Sequence, residues 1–216
     1  MSAADVPSRA AVLPLVSGTP AFDLVNTASD RGGPRAQDHL RTADHVVAWA
    51  RHAGVLDDAG ARALRRHNAR PRAAAELLRR TRELRALLYA IGTAVAAGSP
   101  PRAADLDRLT RIHARALAQA RLALAGAGFA WRWDAARAPV AAVLGPLALS
   151  AVDVVMRAER RRIKQCGGDH CGWLFIDTTK NNRRRWCEME VCGNRAKQKR
   201  LRGRRRRIGD GRRKNS

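Results

Sequence analysis

Apolar side chains recur at intervals of three and four residues through most of the first 156 positions, which is the spacing of amphipathic helices. The longest such run begins near Pro71, a residue that fits a first helical turn, and stops at Gly98. Its apolar face carries Leu77, Thr81, Leu84, Leu88, Ile91 and Val95. The pattern predicts an amphipathic helix of roughly two dozen residues.

Shorter stretches with the same period predict four more helices, each bounded by residues that favour a helix end. They run from Ala43 to Gly54, from Asp57–Asp58 to about His67, from about Arg102 to Ala120, and from Pro139 or Pro146 to the region of Val155. If Pro146 lies inside the last helix, it is expected to kink it.

A strand-like pattern interrupts the helices only once, around the turn Gly126–Gly128. Phe129, Trp131 and Trp133 alternate there, which predicts a β-hairpin whose aromatic side covers the helices. Hydrophobic residues make up 45% of the chain but aromatic residues only 4%, and much of the remainder is alanine. This composition favours a helical core over a β-sandwich.

Positive charge is concentrated towards the C-terminus. The net charge is +23, and residues 157–216 hold 21 Lys and Arg against 6 Asp and Glu. An excess of this size calls for a polyanionic partner or a solvated tail. We find no stretch of about eighteen apolar residues and no signal peptide at the N-terminus, so we expect a cytoplasmic protein with no membrane partner. The helical part also lacks a nucleophile–base pair, a phosphate loop and an HExxH motif, so we do not expect an enzyme.

All four cysteines fall within the basic region, in two Cys-x4-Cys pairs: Cys166 with Cys171, and Cys187 with Cys192. Two short chelating loops of this kind suit a tetrahedral Zn²⁺ ion, and four thiolates leave no open position for catalysis. Two disulfides are the alternative, and Asp169 or His170 could replace a cysteine as ligand.

The residues around these cysteines are predicted to form a small module. Trp173–Thr178 and Arg183–Trp186 are predicted to pair as a β-ribbon with a turn at Lys180–Asn182, and the basic run after Cys192 is predicted to be a helix. Trp173, Phe175 and Trp186 would form its miniature core. The expected fold class is mainly α: a helical N-terminal domain with a small β-hairpin, followed by a zinc-stabilised ββα-type, treble-clef-like module.

The stretch from Cys171 to Lys197, with its Arg-Arg-Trp-Cys flank and the Cys-Gly-Asn-Arg letters at Cys192–Arg195, resembles the CGNR zinc finger over about 166–200. The resemblance implies a DNA-binding zinc module of a bacterial transcriptional regulator. Asp169–His170 departs from the small residues usual in the first knuckle, without touching the cysteine pattern.

The N-terminal part resembles the ABATE domain, in Phe22-Asp-Leu-Val-Asn-Thr27 and in Trp49 ahead of Ala53-Gly-Val-Leu56. That family is labelled as a stress-induced transcription regulator. The predicted domains are a disordered N-terminal tail at 1–14, an ABATE-like helical domain at 15–160, a CGNR zinc finger at 161–202 and a basic disordered tail at 203–216.

Cations beside the cysteines are the candidate nucleic-acid contacts, because Lys and Arg neutralise phosphates and arginine can also read guanine. They are Lys180, Arg183, Arg184, Arg195, Lys197, Lys199 and Arg200. The expected partner is double-stranded DNA in the bacterial nucleoid. The alternative is that the chain is an RNA- or ribosome-associated zinc protein.

Two polar residues, Asp23 and Asn26, interrupt the first apolar run. When buried, they must find hydrogen-bond partners, so they either satisfy backbone groups or contact a small-molecule effector. The helical domain would accordingly act as a sensor or as the unit that forms a homodimer.

Overall fold

The computed structural model describes residues 8–31 and 33–213, with side chains described as far as Gly203. This part of the chain is mainly α, with seven helices and three small antiparallel strand pairs, which confirms the predicted fold class. The helices are α1 Pro20–Val25, α2 Ala43–His52, α3 Asp58–His67, α4 Pro71–Ala96, α5 Ala103–Leu117, α6 Pro139–Arg157 and α7 Asn194–Arg213. The strands are β1 Ala28–Ser29, β2 Gln37–Asp38, β3 Arg121–Ala125, β4 Gly128–Arg132, β5 Ile163–Gln165 and β6 Leu174–Ile176.

Helix α4 is the central element of the helical part. Its predicted apolar face is buried at Leu77, Leu84, Leu88 and Ile91. Helices α1, α2, α5 and α6 pack against it, as do β5 and β6 from the cysteine-containing part. The spacing of apolar residues therefore located both the helix and the side that it buries.

Helix α6 begins at Pro139 and continues through Pro146. By length and composition alone it is apolar enough to cross a membrane, although Ser150 and Asp153 interrupt its apolar run. Half of its most apolar window is buried inside the protein, which is the environment of a core helix.

The hairpin β3–β4 forms as predicted, but its aromatic face does not cover the helices. Phe129 is 70% exposed and Trp131 40% exposed, whereas Ala130 between them is half-buried. The register pairs Phe129 with Leu124 and Trp131 with Leu122, so these four side chains share the outer face. Only Trp133, just beyond β4, turns inward, where its indole N–H donates to the Ala116 carbonyl at 2.7 Å.

Both predicted tails are more ordered than expected. In the predicted N-terminal tail, Ala10 and Leu13 are buried, and the Ser8 hydroxyl donates to the His39 carbonyl at 2.7 Å. In the predicted C-terminal tail, α7 continues as a helix to Arg213. Residues 1–7 and 214–216 of these two tails lie outside the described residues.

The predicted β-ribbon of the zinc module is also wrong. Strand β6 pairs with β5, which precedes Cys166, and residues 183–186 form no strand. The reason is burial: Ile163 and Leu174 lie in the hydrophobic core beside α4, whereas Arg183 and Arg185 are exposed. Pairing β5 with β6 is the choice that removes apolar side chains from water.

The two predicted domains share one hydrophobic core. Leu174 and Phe175 have no exposed surface and belong to the same cluster as Phe22 and Trp49. The Trp173 indole N–H donates to the Ala28 carbonyl at 3.2 Å. Trp173 and Phe175 therefore do not make a separate miniature core, but anchor the cysteine-containing part to the helices.

Candidate metal centre and basic surface

The first cysteine pair is held by a tight loop that follows β5. The Cys166 N–H donates to the Trp173 carbonyl at 2.8 Å, and the Cys171 N–H donates to the Gly168 carbonyl at 3.1 Å. The loop leaves this turn through His170 and Gly172, both at positive φ. Asp169–His170, the local departure noted in the sequence, is thus accommodated in the turn.

The second pair ends on a π-helical turn, Met189–Gly193, that leads directly into α7. The N–H groups of Cys192 and Gly193 both donate to the Glu188 carbonyl, at 3.0 and 3.2 Å. Such turns are rare and often occur at functional sites. This one turns Cys192 towards the other sulfurs and fixes the start of the basic helix.

The four cysteine sulfurs converge on one point, lying within 4.8 Å of one another. The sulfurs of Cys171 and Cys187 are 3.7 Å apart, and those of Cys187 and Cys192 are 3.6 Å apart. A tetrahedron of zinc–sulfur bonds of about 2.3 Å has edges of roughly 3.8 Å, so the donor set fits Zn²⁺. All four cysteines are free, and these separations are far beyond a disulfide bond.

The charge of the cluster also calls for a cation. Contact among the sulfurs lowers the pKa of Cys166 and Cys192 but raises that of Cys171 and Cys187, so the four thiols do not ionise together. Four thiolates can therefore coexist at neutral pH only if a positive ion balances them. Asp169 is exposed and pairs with Lys199 at 2.7 Å, and neither it nor His170 belongs to the cluster.

A buried carboxylate, Asp177, organises the loop between the two cysteine pairs. It accepts hydrogen bonds from the Lys164 ammonium at 2.6 Å, from the Arg184 N–H at 2.8 Å and from both the N–H and the hydroxyl of Thr179. Burial alone would raise the pKa of Asp177, but these donors, Lys164 first, hold it well below the ordinary value. Asp177 thus stays charged and ties β5 to the irregular segment that leads to Cys187.

Arg184 makes several contacts inside the protein. Its guanidinium donates to the carbonyls of Trp186, at 3.1 Å, and of Val16, at 2.9 Å, and also to that of Cys187. It also lies 4.3 Å above the ring of Phe175. Its guanidinium is thus engaged inside the protein, and its contact with a nucleic acid stays a prediction.

The next residue, Arg185, lies on the surface instead. It is exposed, lies over the Trp186 ring at 5.4 Å, and lines a cleft of about 490 Å³ beside the sulfur cluster. The cations around this cleft are Arg35, Arg185, Arg195, Lys199 and Arg200. The predicted set did not include Arg185, because a run of three arginines does not reveal which member points outward, nor Arg35, which lies far away in the chain.

The remaining predicted contacts are distributed more widely. Lys180, Arg183 and Lys197 are exposed but do not line this cleft. Of the predicted set, the structure therefore brings together Arg195, Lys199 and Arg200.

Asp23 and Asn26 are buried and have partners inside the protein. The Asn26 side chain both donates to the Leu174 carbonyl and accepts from the Leu174 N–H, each at 2.9 Å. The Asp23 carboxylate accepts from the Ser17 N–H at 3.1 Å, and burial raises its pKa. Both side chains therefore satisfy backbone groups, which is one of the two predicted roles. No contact of either residue supports the other role, binding of an effector.

Two family models match the chain, and together they cover most of it. One is ABATE, described as "Putative stress-induced transcription regulator", over residues 18–157. The other is the CGNR zinc finger, over residues 162–205. Neither family is described as an enzyme. No curated protein matches the chain.

Proposed function

Because the chain belongs to the ABATE family and carries a CGNR zinc finger, we propose that it is a transcriptional regulator that binds duplex DNA. Cys166, Cys171, Cys187 and Cys192 would be the four zinc ligands. The cations of the adjoining cleft and of α7 would contact the duplex. The ABATE domain would act as the sensor or the dimerisation unit.

The observation that carries this proposal is the set of weakly neutralised cations beside the sulfur cluster. Arg185, Arg195 and Arg200 are exposed and form no ion pair within the described part of the chain, and Lys199 pairs only with the exposed Asp169. Exposed pairs of that kind contribute little free energy. These side chains are free to neutralise phosphates.

Zinc would supply rigidity rather than chemistry. The ion would fix both cysteine loops and the π-helical turn, so that α7 leaves the module at a defined angle. Arg195, Lys199 and Arg200 would then contact the DNA from within about one and a half turns of the same helix. Phosphate contacts would supply the affinity through counterion release. The forked guanidinium groups of arginine would be able to read guanine.

Duplex DNA is favoured over the alternative of an RNA- or ribosome-associated protein by the state of the aromatic residues. Single-stranded RNA is usually read by bases stacking on exposed aromatic rings. In the zinc finger, Trp173 and Phe175 are buried, and Trp186 is half-buried under Arg185. We also propose a location in the bacterial cytoplasm, at the nucleoid, where zinc-bound thiolates stay reduced.

Anisotropy titrations of a labelled random-sequence DNA duplex and of an RNA hairpin of equal length test the proposal. We expect the zinc-loaded chain to prefer the DNA duplex, with an affinity that falls steeply between about 50 and 200 mM salt. The variant R185Q/R195Q should bind more weakly and show a shallower salt dependence, because two phosphate contacts are lost.

The variant R62Q/R65Q is the matched control, because it removes the same charge from exposed positions on α3. It should leave both the affinity and the salt dependence nearly unchanged. Equal losses in the two variants would mean that total charge, and not the zinc module, drives binding. Tighter binding to the RNA hairpin would favour the alternative function.

A further inference from the structure

A second basic groove lies in the ABATE domain and shares no residue with the cleft beside the cysteines. It encloses about 580 Å³ between α4, α5 and the start of α6. Six arginines line it, against Glu83 as the only lining carboxylate. A volume of this size is typical of small-molecule sites.

The cations of this groove are only partly neutralised. Glu83 pairs with Arg79 at 2.7 Å and lies 3.5 Å from Arg108, Glu76 pairs with Arg79 and Arg80, and Asp134 lies 3.5 Å from Arg137. Arg111 and Arg115 lie one turn apart on α5, and neither forms an ion pair among the described residues. The groove thus holds two guanidinium groups with no anionic partner.

The start of α6 adds to this positive field. No side chain caps its first turn, which includes Pro139 and Val140 in the groove wall. The first N–H groups of a helix lack intrahelical partners and carry the positive end of the helix dipole. This feature strengthens a site that the arginines already define.

Apolar side chains that are buried or half-buried also line the groove, whereas its arginines are exposed. The apolar residues are Ile112, Val140 and Leu144, with Ala116 and Ala141 between them. A phosphate backbone would gain no free energy from contact with these apolar side chains. The hydrocarbon part of an organic anion would gain free energy by covering them. We propose that this groove binds an amphipathic organic anion, a carboxylate or similar acid attached to an apolar body.

Isothermal titration of octanoate into the full-length, zinc-loaded chain tests this proposal. Octanoate should bind saturably at one site per chain. Acetate and 1-octanol should each bind at least about tenfold more weakly than octanoate. Acetate lacks the apolar contacts, and 1-octanol lacks the charge that pairs with the arginines.

Two variants locate the site. R111Q/R115Q removes the unpaired cations from exposed positions and should weaken octanoate binding by about tenfold or more. V140S, at the first turn of α6 where serine is tolerated, should weaken it through loss of apolar contact. R62Q/R65Q, with the same charge change outside the groove, should bind octanoate like the unaltered chain.

Three results would overturn the proposal. One is no measurable octanoate binding, and another is equal binding of octanoate and 1-octanol. The third is a loss of DNA-duplex affinity in R111Q/R115Q without any octanoate binding, which would assign these arginines to the nucleic acid. Octanoate binding that persists when the R185Q/R195Q variant has lost DNA affinity would show that the groove stands apart from the proposed DNA contact.

Discussion

Asp23 and Asp177 are both buried carboxylates, but their surroundings shift their pKa values in opposite directions. Burial raises the pKa of Asp23, which accepts from the Ser17 N–H. The donors around Asp177, with Lys164 first among them, outweigh burial and lower its pKa. Asp177 therefore stabilises the fold above its unfolded pKa of about 3.9, and this contribution is lost as the pH falls towards its folded value. For Asp23 the sign is reversed: its contribution is lost as the pH rises.

The substitution D177N should lower the free energy of unfolding at pH 7 by about 3 kcal/mol, because it leaves Lys164 without its buried counter-charge. Urea denaturation of the zinc-saturated protein measures this loss. D23N is the matched control and should stay within about 1 kcal/mol of the unaltered chain, because the amide oxygen can still accept from Ser17. Equal costs for the two variants would contradict this account of Asp177.

At the level of elements, the zinc-binding part docks onto α4 through a close approach at Gly92. A Cβ atom there would collide with the Leu174 side chain and lie 3.1 Å from the Phe22 ring. Leu174 lies in β6 and has no exposed surface, so it has little room to move. The glycine inside α4 is thus needed for the contact between α4 and β6, although it weakens the helix itself.

The substitution G92A should therefore lower the free energy of unfolding by about 1–3 kcal/mol through overpacking, despite alanine's better helix propensity. Thermal and urea unfolding followed by circular dichroism measure this effect. G203A in α7 is the control, because no atom lies within 4 Å of a Cβ at that position. It should increase helical signal without moving the unfolding midpoint, and a stabilised G92A would show that β6 does not press on α4.

On the scale of the whole molecule, metal binding and helical packing are linked through the shared core. Phe175 and Leu174 lie between the cysteine pairs in sequence and in the core with Phe22 and Trp49 in space. Asn26 and Arg184 add hydrogen bonds that cross from one part of the chain to the other. Loss of structure in the zinc finger is consequently expected to destabilise the helices.

Removal of zinc with a chelator should destabilise the entire chain, by several kcal/mol in the range of structural zinc sites. We expect one cooperative thermal transition that moves to lower temperature, reported equally by helical signal and by the near-ultraviolet signal of the tryptophans. Titrating zinc back provides the control and should restore the transition. A helical domain that melts at the same temperature with and without metal would contradict the coupling.

The sequence by itself determined the features that depend on neighbouring residues. Helical periodicity located α4, and Asp57 predicted the start of α3, where its side chain accepts from the Gly60 N–H at 2.7 Å. The spacing of the cysteines predicted the four-sulfur cluster in the same way, since two short loops can bring their own ligands together. These are short-range constraints, so a linear pattern carries them.

The tertiary structure decided what depends on residues far apart in the chain. Arg184 is held inside by the Val16 carbonyl, 168 positions away, which leaves Arg185 outside. Leu174 is held by Asn26, 148 positions away, and β6 pairs with β5 instead of the predicted ribbon. No local pattern records such contacts, because they are selected by burial and by hydrogen bonding across the folded core.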